Sequence, residues 1–466
     1  MSILPSEGIS FDITVPVLII GAGACGLTAA LRAHDSGVAV LVVERDHAPT
    51  GSTALSSGMI PACETKLQAA KGIADSSSLM VKDLVNKAKG QANPEMVDLV
   101  CQTSGRAIDW LVDRYEVEME LVEGFLYPGH SVPRMYAPPS KTGAALMASL
   151  LAAVERVEID IMTDATVTDL IADPDGCVRG IIVTRPDGSR ERIGCKTLIL
   201  ACNGFGGNRD MIRRYIPEMA DALYFGHAGN QGDAIIWGEA LGGEAEHMGA
   251  YQGHGSVATS HGILITWALM MEGGIQVNLG GERFSNENQG YSEQSVAVLS
   301  QDEGLAWCVF DQRLHDLGLT FEDYRNAEAQ GAVRSAQTVE KLAEIMKVPV
   351  DRLASSIAET GREDIDRYGR DFSVTPALEP PFYAVKVTGA LFHTQGGLRI
   401  NRHARVLRRA NNDPLPNLFA GGGAACGVSG PEVSGYLSGN GLLTAVTLGL
   451  VSGEQAAIQV LRETET

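Results

Sequence analysis

The chain has 466 residues, 45% of them hydrophobic, and a formal charge of −20; at roughly 100–200 residues per domain this is two or three domains with ample core. The acidic excess argues against nucleic acid and anionic membranes, which attract basic surfaces, and apolar runs such as Val15–Ile20 fall far short of the ~20 residues of a membrane span. The N-terminus has neither a basic n-region nor an apolar h-region, so a cytoplasmic location is expected; scattered cysteines without CxxC and histidines without HExxH predict free thiols and no metal.

The first element is a buried strand, VPVLII (15–20), running into Gly21-Ala22-Gly23-Ala24-Cys25-Gly26. A helical pattern and a second apolar run, VAVLVV (38–43), follow, ending in Glu44. Strand, glycine turn, helix, strand and acid form a dinucleotide-binding βαβ pattern. Gly21 permits the tight turn, Gly23 lets the backbone approach a pyrophosphate, and Gly26 lets the helix pack on the sheet. The helix N-terminus faces the phosphates, and Glu44 accepts from ribose hydroxyls. The small, hydroxyl-rich segment Gly51-Ser52-Thr53-Ala54-Leu55-Ser56-Ser57-Gly58 suits close passage along an extended FAD, for which an NAD enzyme has no need.

Further on, VEIDIM, TVTDLIADPDGCVRGIIVTRPDGSRERI and the strand TLILACNGFGGN (197–208) read as a β-meander, with turns at the two PDG sites, feeding a glycine-rich turn. Residues 246–378 change character: HDLGLTFEDYRNAEAQ, SAQTVEKLAEIMK and DRLASSIAETGREDIDRYGRD read as amphipathic helices around a short strand, GGIQVN. The chain then returns through NLFAGGG (417–423), a glycine-rich crossing and a terminal helix from about Asn440. The expected fold is α/β: a Rossmann-like FAD-binding domain in two parts, 1–245 and 379–466, with an inserted meander, and an inserted α+β capping domain at 246–378.

Taken with GNQGDA (229–234), GGERFSNE (280–287), VFDQR (309–313), HTQGG (393–397) and NLFAGGGAACGVSG (417–430), these segments resemble the flavoprotein family of fumarate reductases, succinate dehydrogenases and 3-ketosteroid dehydrogenases. The resemblance implies an active site between the FAD and capping domains. It implies FAD contacts at Gly21, Gly23, Ala24, Gly26, Glu44, Arg45, Ser52, Thr53, Ser57, Gly58, Val167, Ala201, Gly204, Asn208, Gly422, Gly439, Asn440 and Leu442. Ser52-Thr53 stands where some members carry a flavin-linked histidine, so FAD is expected to be bound non-covalently. Gly422-Gly423 replaces the family's A-G-E, and the contact made by that glutamate is lost.

The departures point to the substrate. The arginines by which fumarate reductases clamp a dicarboxylate are absent: N-E-x-T-x-R reads Asn286-Glu287-Asn288-Gln289-Gly290-Tyr291, the proton-donating arginine falls at His315, and the C-terminal arginine falls at Tyr436. His393 survives. Tyrosines at these places, with Tyr436-Leu437-Ser438, resemble the 3-ketosteroid dehydrogenase branch. The expected activity is α,β-dehydrogenation of a neutral ketone, cyclic or steroid-like, with a quinone, another carrier or O₂ as electron acceptor; the same fold run in reverse on an enoate is the alternative, and a non-catalytic flavin-binding protein a third. Tyr291, its pKa lowered by neighbours, is the expected base. Tyr436, with a backbone N–H near Gly439 or Asn440, is the carbonyl clamp, assisted by Ser438 and His393. Each also has an ordinary alternative: core packing for Tyr436, a cap surface for Tyr291, a helix N-cap for Ser438, loop hydrogen bonding for His393. Arg283 is read as a structural ion pair, His315 as a surface residue, and Trp267, Met270 and Met271 as core.

Overall fold

The computed structural model describes residues 2–362 and 364–465. Its first sheet carries the strands in the order Ser2–Pro5, Thr166–Ala172, Val178–Thr184, Arg190–Leu200, Ile13–Ile20, Val40–Val43, Asp160–Met162. Val17, Leu18 and Ile19 are wholly buried, as a strand covered on both faces must be. Ile13–Ile20 runs parallel to both neighbours, Val40–Val43 and Arg190–Leu200. The meander comprises the antiparallel strands 166–172, 178–184 and 190–200, turning at Gly176 and Gly188, both at positive φ. VEIDIM is not part of it: Asp160–Met162 pairs in parallel with Val40–Val43 at the opposite edge, because the helix Gly143–Arg156 carries the chain across to that side.

Arg190–Leu200 pairs antiparallel with the meander through its first half, and its last residues pair in parallel with the returning strand Pro414–Ala420. The terminal helix Asn440–Glu465 then packs along the first helix, Ala24–Asp35, at very close range: a Cβ at Gly453 would lie 2.2 Å from the Ala29 carbonyl oxygen. Its Asn440–Thr464 stretch is long and apolar enough to span a membrane, but 72% of its most apolar window is buried.

The second sheet runs Ile263–Leu264, Tyr251–Ala258, Phe382–Thr394, Leu305–Asp311, Ile275–Val277, with Leu223–Tyr224 and Arg334–Ala336 also on Phe382–Thr394. That long strand lies beyond residue 378 and Leu223–Tyr224 before 246, so the second sheet draws on chain from both sides of the expected insert. Its thirteen residues, mostly buried and carrying valines, threonines and aromatics, suit the centre of a sheet. Around it pack helices Tyr291–Leu299, Gln312–Gly318, Glu322–Ala329, Val339–Met346 and Val350–Ala358. The expected helix over 351–371 stops at Ala358, since Arg370 and Asp366 are drawn into a buried ion cluster with Arg283 and Glu287. Two hydrophobic cores result, one per sheet; Met59, Met135 and Tyr436 of the first unit belong to the core of the second, and the cleft lies along that seam.

Candidate functional site

One cleft of about 1690 Å³, counting its open mouth, runs from the glycine turn after the first strand to the seam between the units. At its first end, Gly21 sits at φ 102°, and a Cβ there would stand 2.6 Å from the Ala201 carbonyl oxygen; only glycine tolerates both. Before Gly23 the space is open, the nearest atom to a Cβ being Thr53 Oγ1 at 3.5 Å. The helix that starts there has no acid in its first turn and no cap from Gly23; Thr53 Oγ1 accepts from the Ala24 N–H at 3.2 Å, and the next N–H groups with the positive dipole end are left for an anion. Glu44 accepts from the Ala22 N–H at 2.9 Å and from the Asp46 N–H at 3.1 Å, which fixes the carboxylate while leaving lone pairs for a ribose. A bound dinucleotide fits this donor set.

Of the expected FAD positions, Gly21, Gly23, Ala24, Glu44, Arg45, Ser52, Thr53, Ser57, Val167, Ala201, Gly422, Gly439 and Leu442 line the cleft. Gly26, Gly58, Gly204, Asn208 and Asn440 stand outside its wall. A Cβ on Gly26 would lie 1.8 Å from the Gly21 carbonyl oxygen, a helix-to-strand contact; Gly58 and Gly204 abut the Thr142 carbonyl and the Thr394 hydroxyl. Asn208 caps the helix Arg209–Tyr215 through the Met211 N–H. Asn440 is fully buried and donates to Ser429. Around the hydroxyl-rich loop, Ser52 accepts from the His227 N–H and the Asn230 amide, and His227 bridges to Asp46 at 2.7 Å; Arg45 pairs with Asp233 at 2.5 Å. Where the family's glutamate is lost, Asn203 fills the space: a Cβ on Gly423 would fall 2.2 Å from its Oδ1.

At the other end Tyr291 and Tyr436 meet, ring centroids 6.1 Å apart. Their hydroxyls lie close to one another and to Ser438, near enough for each to influence how the next ionises. The Tyr436 oxygen accepts from Gly441 N–H at 3.4 Å. Asn440 N–H is taken by the Leu437 carbonyl, so Gly441, rather than Asn440, supplies the backbone donor at the expected clamp. With its oxygen occupied as an acceptor, the Tyr436 O–H is the group left to donate into the cleft.

Burial raises both phenol pKa values, that of Tyr291 well above its usual 10 with the neighbouring Tyr436 adding to it. This corrects the expectation of a lowered pKa for Tyr291. Among the described residues lining the cleft, Arg45, at the dinucleotide end, is the one arginine or lysine. The histidines at this end are neutral at pH 7, since burial lowers His254 to about 3 and His393 to about 4. His393 abuts the Tyr436 ring at 5.7 Å, and a Cβ on Gly441 would strike its Nε2.

His254, Tyr127 and Thr266 line this end too and escaped the sequence analysis. His254 stacks on Tyr291 at 4.5 Å and 12°. Ser256 donates to the Ile265 carbonyl at 2.6 Å and so accepts from His254 Nδ1. One signal was available: Gly253 and Gly255 flank His254 because the helix carrying Tyr291 lies directly on the strand, where a Cβ on Gly253 would come within 2.0 Å of Ser295 Oγ. Tyr127 lines the cleft beside Thr266 from a loop with no pattern to betray it.

Arg283 lies outside the cleft wall, fully buried and paired with Glu287, Glu359 and Asp366. His315 is not on the surface: it stacks on Tyr383 at 4.3 Å and bonds Tyr324, inside the second unit and outside the cleft wall. Trp267 lines the cleft; Met270 and Met271 do not.

The chain is 28% identical over 448 residues to an NADH:fumarate oxidoreductase of Klebsiella pneumoniae (strain 342), covering 95% of this chain but 47% of that protein; it thus spans about half of that relative's length. The structure matches the open conformation of a flavocytochrome c3 fumarate reductase with a TM-score of 0.80 and 27% identity, over 98% of this chain and 80% of the other. It matches 3-ketosteroid-Δ4-(5α)-dehydrogenase from Rhodococcus jostii RHA1, solved with 4-androstene-3,17-dione, with a TM-score of 0.76 and 24% identity, over 97% and 99% of the two chains; at that identity the likeness speaks to fold. A family model described as an FAD binding domain matches residues 16–442, nearly the whole chain, and the cofactor is FAD. The chain belongs to the FAD binding domain family.

Proposed function

We propose that the protein, an FAD-dependent oxidoreductase, dehydrogenates the Cα–Cβ bond beside the carbonyl of an uncharged ketone, cyclic or steroid-like. The observation that carries this is the buried Tyr291–Tyr436 pair, with Ser438 beside it, at a cleft end with no arginine or lysine in its wall. A dicarboxylate needs guanidinium forks to replace its hydration; a ketone needs a donor for the negative charge that grows on its oxygen. Tyr436 O–H supplies that donor, supported by the Gly441 N–H behind it. Tyr291, at the first turn of its helix, takes the α-proton when deprotonated, and Ser438 O–H steadies the resulting phenolate. Bound FAD supplies the acceptor for the hydride from the β-carbon. Burial of the pair keeps water from competing for these protons. An external electron carrier then closes the cycle.

A second direction is favoured by one observation. The raised pKa of Tyr291 keeps its proton at pH 7, the state needed to protonate the α-carbon when an uncharged enone is reduced. An enoate fits less well, because its carboxylate finds no cation at this end. Anaerobic mixing of the yellow holoenzyme with cyclohexanone, a 3-oxo-steroid or succinate tests the proposal: bleaching by either ketone and not by succinate supports it, and fumarate turnover by dithionite-reduced enzyme overturns it.

A further inference from the structure

The two phenols sit on different units. Tyr291 opens a helix packed on the second sheet, whereas Tyr436 and Ser438 lead into the terminal helix of the first unit. Groups that exchange protons must be held to within a fraction of an ångström, so the Tyr291 helix has to be fixed against the first unit. Lys87 is built to do this. It ends the helix Ser77–Lys87, whose Met80 and Leu84 lie in the first core. Its side chain, 11% exposed, crosses the seam, pairs with the Glu293 carboxylate and donates to the Gln289 carbonyl at 2.8 Å. Gln289 and Glu293 bracket Tyr291 in the chain. Gly290, between, adopts φ 143° and ψ 154°, a backbone state essentially confined to glycine. A Cβ there would lie 2.5 Å from Glu293 Oε2 and 3.1 Å from Lys87 Nζ, so the ion pair lies directly over the peptide that aims Tyr291. The same helix end supports the partner phenol: a Cβ on Gly435, just before Tyr436, would be 3.3 Å from the Ala88 Cα.

The geometry points to Lys87 as a positioning residue that holds Tyr291 in register with Tyr436 and Ser438 across the seam. This rests on the phenol pair being the proton-transfer device. The test compares FAD-loaded wild type, Lys87→Met and Lys87→Arg by amide hydrogen exchange over residues 289–299, and by stopped-flow reduction of the flavin with cyclohexanone. In Lys87→Met, exchange over 289–295 should quicken about tenfold while protection of the first core stays unchanged. Flavin reduction should slow by about 10–100-fold, a misplacement effect, with little change in the cyclohexanone concentration giving half-maximal rate. Lys87→Arg should restore both, and Lys87→Met should slow a Tyr291→Phe enzyme no further. Unchanged exchange over 289–295, equal loss of protection throughout the protein, or failure of Lys87→Arg to restore either readout would overturn the positioning role. Local loosening restored by arginine, in a protein whose flavin cyclohexanone never reduces, would sustain the anchoring by Lys87 and overturn the ketone chemistry assigned to the pair.

Discussion

Tyr291→Phe, read as a function of pH, is the sharpest test of the proposed chemistry. The phenol must be deprotonated to accept an α-proton, and burial together with Tyr436 raises its pKa well above 10. At pH 7 less than about one molecule in 10³ then carries the phenolate. Because the raised pKa depletes the base form, the dehydrogenation rate falls as pH falls: from pH 9 to 7 it should drop about 100-fold, tenfold per unit. In the reverse direction the neutral phenol is the proton donor, and the rate should be flat over the same range. Phenylalanine keeps the ring stacked 4.5 Å from His254 and removes only the hydroxyl, so the variant should fold and hold FAD. Its rate of flavin reduction should fall by about 10²–10⁴ and lose its pH slope. The assay is anaerobic stopped-flow bleaching of FAD by ketone. A flat wild-type profile between pH 7 and 9, or a phenylalanine variant that keeps the wild-type rate and slope, would refute the assignment.

Three further outcomes follow from the structure. Gly26→Ala places a Cβ 1.8 Å from the Gly21 carbonyl oxygen; pushing helix from strand should cost about 1–3 kcal/mol or more and loosen FAD, and an unchanged melting temperature and flavin content would contradict the packing. Glu287→Gln weakens a fully buried hub bonded to Arg283 and Arg370, each at 2.8 Å, and should destabilise the protein by about 3–5 kcal/mol in urea titrations; a midpoint equal to wild type would show that the cluster contributes nothing. Finally, His130, His254 and His393 have folded pKa values lowered by burial to about 4, 3 and 4. The unfolded chain takes up protons that the fold refuses, so their stabilisation is complete above pH 6.5 and is lost as pH falls toward 4, by at most about 4 kcal/mol per pH unit for the three together. Melting temperatures that fail to fall between pH 6.5 and 5 would contradict this.

The dinucleotide half of the site was legible in the sequence because its chemistry is local. A glycine turn, a helix N-terminus and an acid at the next strand end are set by backbone geometry within about 25 residues, and Gly21, Gly23 and Glu44 line the cleft. The loss of the clamping arginines was equally readable, since a missing residue type needs no coordinates. Only the tertiary structure decided the rest. Tyr127, His254, Tyr291 and Tyr436 come from four separate stretches of chain, and their meeting is a product of two units packing along a seam. The direction of the Tyr291 pKa was misjudged for the same reason: the sequence names the ionisable group, but burial and neighbours set its charge, and those are properties of the seam. Phe382–Thr394 joined the second sheet because thirteen extended residues find more partners at its centre than at an edge of the first, a choice that no local pattern records.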